Sequence, residues 1–182
     1  MDFLNTWELS ILHWIQENLT CPFLDTIMPY VTRFCDGGSG WIFVALVLLC
    51  FPKTRKIGIT IGVALLIGLL GCNAILKPLV DRTRPFVWDP HVSLLLTPPT
   101  DASFPSGHST AAFEGAVVLF LYHKKWGIPA LCLAASVAFS RLYLYMHYPT
   151  DVLCGSILGT LSGIAAYAMV NWLYKRNIHR MV

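Results

Sequence analysis

This chain of 182 residues is predicted to form a single membrane-embedded domain, residues 1–182, because 55% of it is hydrophobic and only 13% is charged. A soluble domain usually carries about 25% charged residues, so lipid is the solvent that the composition predicts. The net charge of +3 is small, and no run of basic residues indicates a nucleic-acid partner. Six scattered cysteines without a CxxC pair do not favour a metal or redox site.

The first elements along the chain are predicted to lie at the membrane surface. Phe3 to Asn18 has the pattern of an amphipathic helix and carries two tryptophans, which favours a position at the headgroup level. Pro22 to Cys35 predicts a second, short helix that ends near the glycines of residues 37–40. Residues 1–36 are therefore interpreted as interfacial and lead-in helices.

Five apolar segments follow, and each predicts a membrane helix. They are Trp41–Phe51, Ile57–Leu76, Ser109–Tyr122, Ile128–Phe139 and Val152–Tyr174. The clearest is the second, whose twenty uncharged residues would measure about 30 Å as a helix and match the hydrocarbon core. Glycines recur every four residues at positions 155, 159 and 163, which predicts close approach of another helix. The predicted fold is all-α, a polytopic membrane bundle of five or six membrane helices with an N-terminal interfacial helix.

The positions of the basic residues predict how the bundle is oriented. Three clusters follow alternate spans: Lys53, Arg55 and Lys56; Lys124 and Lys125; and Lys175, Arg176 and Arg180. All three are expected on one side, the cytoplasm. The extracytoplasmic side then receives Lys77 to His108 and Arg141 to Asp151. The first of these contains the segment from Pro85 to Ser106, which its prolines predict to be non-helical. Loops of that length are usually functional.

Three polar segments are expected to meet on that outer face. They carry Lys77 and Arg84; Ser106, Gly107 and His108; and Arg141, His147 and Asp151. Cations near lipid are costly, so the lysine and the two arginines should face a cavity that holds an anion, and their geometry suits phosphate. The second segment is expected at a helix N-terminus, where free backbone N–H groups favour an anion and Gly107 allows close approach.

The two histidines of these segments suit phosphoryl transfer. Asp151 lies four residues after His147, and Pro149 favours a turn between them over a shared helix face. In either arrangement Asp151 could hold one imidazole nitrogen and leave the other as a nucleophile. His108 is then free to protonate the leaving oxygen. The aspartates are not at the spacing of magnesium ligands, so a reaction without metal or other cofactor is predicted.

Taken in order, the motifs Lys-x6-Arg-Pro, Pro-Ser-Gly-His and Ser-Arg-x5-His-x3-Asp resemble the signature of the type 2 phosphatidic acid phosphatase superfamily. The resemblance covers Ile57 to Leu173, with all three motifs matched without departure. It implies a catalytic helical bundle over residues 57–174. The implied roles are phosphate binding by Lys77, Arg84, Ser106, Gly107 and Arg141, with His147 as nucleophile, His108 as acid and Asp151 as its partner.

Within that superfamily, the small size and the run from Asp101 to His108 resemble bacterial undecaprenyl diphosphate phosphatases of the bacitracin-resistance type. The implied partner is a lipid phosphate in the plasma membrane, and an outward-facing site fits recycling of a lipid carrier. The alternatives are a phosphatase of phosphatidylglycerol phosphate, phosphatidic acid or a sugar phosphate, a vanadate-dependent haloperoxidase, and a non-enzymatic lipid-binding or transport protein. Glu114, an acid inside a span, and Arg82 are expected to have supporting or structural roles.

Overall fold

The computed structural model describes residues 3–178, with side chains from residue 6 to residue 176, and this range is all-helical. Seven α-helices of at least twelve residues and two of four residues occur in it. They are α1 Phe3–Leu19, α2 Pro22–Arg33, α3 Ser39–Cys50, α4 Arg55–Gly68, α5 Lys77–Val80, α6 Pro85–Trp88, α7 Gly107–Tyr122, α8 Lys124–Tyr143 and α9 Pro149–Ile178. A 3-10 turn, Asp36–Gly38, joins α2 to α3, and a π-helical segment, Leu69–Leu76, joins α4 to α5.

Within the described residues, three helical segments are long and apolar enough to cross a membrane: Arg55–Trp88, Lys124–Tyr143 and Pro149–Arg176. A fourth crossing results if α2 and the segment Asp36–Cys50, which are bent by 43° relative to each other, count as one span. The prediction of an all-helical membrane bundle is confirmed. Five or six membrane helices stay a prediction, because length and composition support three or four crossings and α7, with 16 residues, measures about 24 Å.

Helix α7 lies at the centre of the bundle and packs against α4, α8 and α9. The predicted close approach along α9 is confirmed, because its three regularly spaced glycines face the backbone of α7. A methyl group on Gly155 would lie 2.5 Å from the carbonyl oxygen of Ser106, and one on Gly159 would overlap that of Thr110. The two helices therefore touch backbone to backbone, which fixes the position of one against the other.

The second predicted span differs from a regular helix at its end. Its last eight residues, Leu69–Leu76, are π-helical, and the helix continues through α5 to a residue in the left-handed conformation, Asp81 with φ 44°. Segments of π-helix are wider than α-helix and often occur at functional sites. This one immediately precedes Lys77 and sets the direction in which that residue enters the site.

The segment from Pro85 to Ser106 was predicted to be non-helical, but it contains one short helix. Its first four residues form α6, with Pro85 at the first helical position. Proline is favoured there because its missing N–H would have no partner within the helix. The remainder of the segment, after Trp88, contains no helix.

The basic end of the bundle lies opposite the polar motifs. Lys56, at the start of α4, donates a hydrogen bond of 2.6 Å to Asn171 near the end of α9. Its ammonium group also lies 5.9 Å from the ring centre of Tyr122, the last residue of α7. The three predicted basic clusters belong to this end, although Arg180 lies outside the described residues. The polar motifs lie at the other ends of the same helices.

Candidate active site

A cavity of about 430 Å³ opens at the end of the bundle where the three motifs meet. Six of the eight predicted site residues line it: Lys77, Arg84, Gly107, His108, Arg141 and His147. The cavity also has an apolar wall that includes Ile42, Leu66 and Leu69. The structure thus brings together residues that are up to 70 positions apart in the sequence.

His147 is buried in the short connection between α8 and α9, and its two ring nitrogens have different surroundings. Nδ1 lies 3.5 Å from the hydroxyl oxygen of Ser103 and 3.6 Å from Oδ2 of Asp151. Nε2 lies 3.2 Å from Nη1 of Arg84, at the cavity. Pro149 begins α9, so His147 precedes the helix and does not share a helical face with Asp151. The Nε2 side is therefore the side that a substrate can reach.

The protonation state of His147 follows from its burial. Burial is the largest influence and lowers the pKa of His147 to about 3; the nearby Arg84 and Arg141 add to this, and the carboxylate of Asp151 opposes it. The imidazole is therefore neutral at physiological pH. A neutral imidazole keeps the lone pair that a nucleophile needs.

Asp151 is fully buried and is held from several sides. Its Oδ2 accepts hydrogen bonds from the hydroxyl of Ser103 at 2.5 Å and from the backbone N–H of Tyr148 at 3.0 Å. Its Oδ1 accepts from Nη1 of Arg82 at 2.7 Å. The carboxylate is consequently fixed in place beside the ring of His147.

The cations of the first motif already hold an anion, the carboxylate of Asp101. Lys77 contacts Oδ2 of Asp101, while Arg84 donates to its Oδ1 at 2.8 Å and, through Nε, to its backbone carbonyl at 2.8 Å. Partial burial raises the pKa of Asp101, but Lys77 and Arg84 outweigh it and bring the pKa to about 2. A position that binds a carboxylate in this way has the donors required for a phosphate group.

Arg141, at the end of α8, is buried and reaches the same cavity. Its Nη1 donates a hydrogen bond of 2.8 Å to the hydroxyl of Thr32 in α2. Its Nε has no hydrogen-bond partner among the residues that the structure describes. A buried guanidinium with a free donor is suited to an incoming anion.

The second motif forms the N-terminus of α7, as expected. The hydroxyl of Ser106 caps that helix by accepting from the backbone N–H of Ser109 at 3.3 Å, and it is also 3.0 Å from the Ser109 hydroxyl. Ser106 is fully buried and is not among the residues that line the cavity. Its side chain thus serves the helix terminus, and phosphate binding by Ser106 stays a prediction. Gly107 and His108 do line the cavity.

Sequence reasoning missed Glu8, which is buried under the third motif. Its Oε1 accepts from the backbone N–H of Thr150 at 2.8 Å and from that residue's hydroxyl at 2.6 Å, while its Oε2 pairs with Arg82. The signal was present in the sequence, because Glu8 lies on the same helical face as the apolar residues Leu12 and Ile15. Arg82 in turn lies 3.9 Å from the ring centre of Tyr148. The N-terminal helix is thereby tied to the site.

Three further residues at the site had no predicted role there. Ser103 bonds Asp151, and Asp101 bonds the cations. Asp36, in the turn between α2 and α3, lies 2.7 Å from Nε2 of His108. These contacts join segments that are distant in the sequence, so the structure is needed to reveal them, even though Asp101 and Ser103 lie in the run that ends at His108.

Glu114 lies deeper in the cavity, six residues after His108 on α7. Its side chain is buried, and Oε1 has no hydrogen-bond partner among the described residues. A methyl group on Gly68 would overlap that oxygen, so the carboxyl group occupies space that only a glycine leaves open. Within residues 3–178, no group of three or more His, Cys, Asp or Glu side chains is placed to hold a metal ion.

Comparison with known proteins identifies the family. The PAP2 superfamily, the type 2 phosphatidic acid phosphatases, matches residues 53–175. The chain is 40% identical over 138 residues to an undecaprenyl-diphosphatase of Sulfolobus acidocaldarius, covering 75% of this chain and 66% of that protein. It is 30% identical over 140 residues to the undecaprenyl-diphosphatase BcrC of Bacillus subtilis, covering 77% of this chain and 72% of that protein.

Among solved structures, a transmembrane PAP2-type phosphatidylglycerolphosphate phosphatase of Bacillus subtilis superposes with a TM-score of 0.76. The two chains are 23% identical, and the match covers 93% of this chain and 87% of the other. This likeness establishes a common fold. The family match over residues 53–175, together with relatives that are 30% to 40% identical, shows that the chain belongs to the PAP2 superfamily.

Proposed function

We propose that this PAP2 superfamily member is a membrane lipid phosphatase that hydrolyses a phosphate monoester or diphosphate, with undecaprenyl diphosphate as the substrate and the monophosphate as the product. The observation that carries the proposal is the position of the neutral Nε2 of His147 beside Arg84, in a cavity that also contains Lys77 and Arg141. A nucleophile and phosphate-binding cations in one cavity are the requirements for phosphoryl transfer.

The reaction proceeds in two steps through a phosphohistidine. In the first, the lone pair on Nε2 of His147 attacks phosphorus, the bond from phosphorus to the leaving oxygen breaks, and His108 gives that oxygen a proton. The phosphate group replaces the carboxylate of Asp101 beside Lys77 and Arg84. The positive charge that develops on the imidazole ring is stabilised by Asp151.

In the second step, water attacks the phosphohistidine. The neutral His108 left by the first step takes a proton from the water, and the phosphorus–nitrogen bond breaks. Inorganic phosphate leaves, while His147 returns to its neutral form and His108 to its protonated form. No step requires a metal ion, so the enzyme is proposed to be metal-independent.

A lipid substrate is supported by the apolar wall of the cavity. Ile42, Leu66 and Leu69 line the cavity and are each about half exposed, at 46%, 55% and 54%. Side chains of this kind on a membrane helix face lipid at no cost. A prenyl chain can therefore extend from the phosphate site, between α3 and α4, into the bilayer.

The orientation proposed for the bundle places the cavity on the extracytoplasmic side of the plasma membrane. The basic residues at the opposite end, such as Lys53 and Lys124, support this orientation through the positive-inside rule. In this arrangement α7 and the pair α2–α3 also lie within the membrane, which brings the number of membrane helices to five. Helix α1, with its exposed Trp14, lies at the interface.

The alternative substrate is a glycerolipid, phosphatidylglycerol phosphate or phosphatidic acid. It is favoured by the fold shared with the Bacillus phosphatidylglycerolphosphate phosphatase. The mechanism would be unchanged, since the cations bind the phosphate and not the leaving group.

The test is phosphate release by purified protein in detergent with EDTA, comparing undecaprenyl diphosphate, phosphatidylglycerol phosphate and phosphatidic acid. We expect the highest kcat/KM with undecaprenyl diphosphate. A higher kcat/KM with a glycerolipid would mean that the glycerolipid is the substrate, while the proposed mechanism would stand. Activity that disappears with EDTA and returns with a divalent metal would contradict the metal-independent reaction.

A further inference from the structure

We propose that Asp36 is a positioning residue that holds His108 in the tautomer and orientation needed for proton transfer. This inference rests on the proposed function, because it assigns a partner to the proton donor of that reaction. Asp36 lies outside residues 53–175, the part of the chain that matches the family. The site would then contain two Asp–His pairs, one for the nucleophile and one for the acid.

The backbone around Asp36 places its carboxylate at the start of α7. Asp36 begins the 3-10 turn that joins α2 to α3, and the next two residues, Gly37 and Gly38, have φ of 56° and 73°. Only glycine adopts such angles readily. A methyl group on Gly38 would lie 4.0 Å from the methyl of Ala111 in α7, so the turn packs against this helix. The turn therefore has a defined conformation and a defined neighbour.

The contact between the two side chains involves one ring nitrogen. Oδ1 of Asp36 lies 2.7 Å from Nε2 of His108. The other nitrogen, Nδ1, has no hydrogen-bond partner in the part of the chain that the structure describes. Because a carboxylate only accepts, Nε2 must carry a proton, and Nδ1 is the nitrogen available to the substrate.

This arrangement serves both steps of the reaction. In the first step, protonated His108 keeps its Nε2 proton, which is hydrogen-bonded to Asp36. It gives its Nδ1 proton to the leaving oxygen. The product of this transfer is neutral His108 with a lone pair on Nδ1. In the second step that lone pair takes a proton from the attacking water. Without Asp36, the neutral ring could place its proton on Nδ1 and would then be unable to act as the base.

The charges around His108 show why an anion is needed there. Arg141, from α8, and Arg84, from the first motif, both act on His108 with positive charge. Burial of the ring, and then these two cations, disfavour the protonated form that must donate. Asp36 supplies the negative charge that opposes them at hydrogen-bond distance.

A competing explanation is that Asp36 merely fills the place of the substrate, as Asp101 does between Lys77 and Arg84. The two explanations predict opposite effects of removing the carboxylate. A positioning residue supports protonation of the leaving group, so its loss lowers the rate. A residue that blocks the site competes with substrate, so its loss lowers KM and raises kcat/KM.

The experiment measures kcat/KM of Asp36→Asn for two phosphate monoesters, dodecyl phosphate and p-nitrophenyl phosphate. This parameter reports the first step, in which the leaving group departs. An alkoxide needs a proton to leave, whereas p-nitrophenolate does not. We expect a loss of about 10- to 100-fold with dodecyl phosphate and of less than about 3-fold with p-nitrophenyl phosphate. In a His108→Ala background, Asp36→Asn should cause no further loss.

The matched control is Asp89→Asn, which removes the carboxylate of another Asp–His pair. Asp89 lies 2.7 Å from Nε2 of His13, outside the cavity, and the variant should leave both rates unchanged. Equal losses with both substrates, or an increase with either, would overturn the role of Asp36. Thermal unfolding of each variant separates these results from loss of fold. A wild-type protein that releases no phosphate from dodecyl phosphate or the lipids would overturn the proposed function as well.

Discussion

The two Asp–His pairs of the site differ in burial and in the way they are held. The side chains of His147 and Asp151 are 2% and 0% exposed, and the closest approach of the ring to the carboxylate is 3.6 Å. In the other pair, His108 and Asp36 are 22% and 58% exposed and lie 2.7 Å apart. The first pair is enclosed by the bundle, whereas in the second pair His108 lines the cavity and Asp36 is largely exposed.

The two pairs differ in what holds each carboxylate in position. Asp151 is fixed by a network, with donors from Ser103, Arg82 and the backbone of Tyr148. Asp36 depends on the conformation of one turn. A buried carboxylate without its donors would be costly, so disturbing the first pair should affect both folding and activity. Disturbing the second should affect activity alone.

The most damaging change expected at the buried pair is His147→Ala. It removes the proposed nucleophile, so phosphate release should fall by at least about 10⁴-fold. The measurement is phosphate release from undecaprenyl diphosphate, with size-exclusion chromatography and thermal unfolding to show that the variant is folded. Activity retained in a folded His147→Ala protein would contradict the phosphohistidine mechanism.

Asp151→Asn comes next, because it keeps the shape of the side chain and removes its charge. The neutral amide cannot stabilise the charge proposed to develop on His147, and its NH2 group replaces one of the two oxygens that accept from Ser103 and Arg82. We expect kcat to fall by about 10²- to 10⁴-fold. The melting temperature should also fall, in contrast to Asp36→Asn. Equal stability of the two variants would show that the buried network does not support the fold.

A smaller effect is expected from Glu8→Gln, which acts on the buried pair from a distance. The amide would oppose the guanidinium of Arg82 and weaken its bond to Asp151. We expect turnover about 10-fold lower and an unfolding free energy lower by about 2 kcal/mol. Glu17, exposed on the same helix, provides the control, and Glu17→Gln should change neither. If the two variants behave alike, α1 does not support the site.

The smallest expected effect is the response of His147 to pH. Because its pKa is lowered to about 3, the ring should stay neutral as the pH falls from 8 to 5. Nitrogen-15 NMR of protein labelled at histidine, assigned with the His147→Ala variant, can follow the two ring nitrogens. We expect constant shifts, with the proton on Nδ1. A titration near pH 6.5, the value of an ordinary histidine, would show that the ring is more hydrated than its burial implies.

His147 and Asp151 could be predicted from the sequence, while the residues that hold Asp151 in place could not. The residues of the three motifs have fixed spacing and unusual polarity for a membrane segment, so they stand out one by one. Glu8 contacts Thr150 from 142 positions away, and Ser103 contacts Asp151 from 48 positions away, so no local pattern predicts either contact. The contact of Asp36 with His108 could not be predicted either, because Gly37 and Gly38 predict a turn but do not reveal which helix the turn contacts.

The helices themselves were predictable to different degrees. Long apolar segments placed α4, α8 and α9, because burial and lipid both require apolar residues there. The π-helical segment Leu69–Leu76 was missed because widening of a helix changes its hydrogen bonding without changing its composition. Phosphate binding by Ser106 stays a prediction, and the sequence did not show that its hydroxyl also accepts from the backbone N–H of Ser109.

The glycine contact between α7 and α9 also has a consequence for how such a protein can change over evolution. His108 lies in the first turn of α7 and Asp151 in the first turn of α9, and the backbone N–H of Ser106 donates to the carbonyl of Asp151 at 3.0 Å. A slip of one turn would displace the two by about 5.4 Å. The opposite face of α9, with Leu153, Ile157 and Leu161, is exposed to the surroundings. Residues there can adapt to bilayers of different thickness and fluidity while the distance between His108 and Asp151 stays constant.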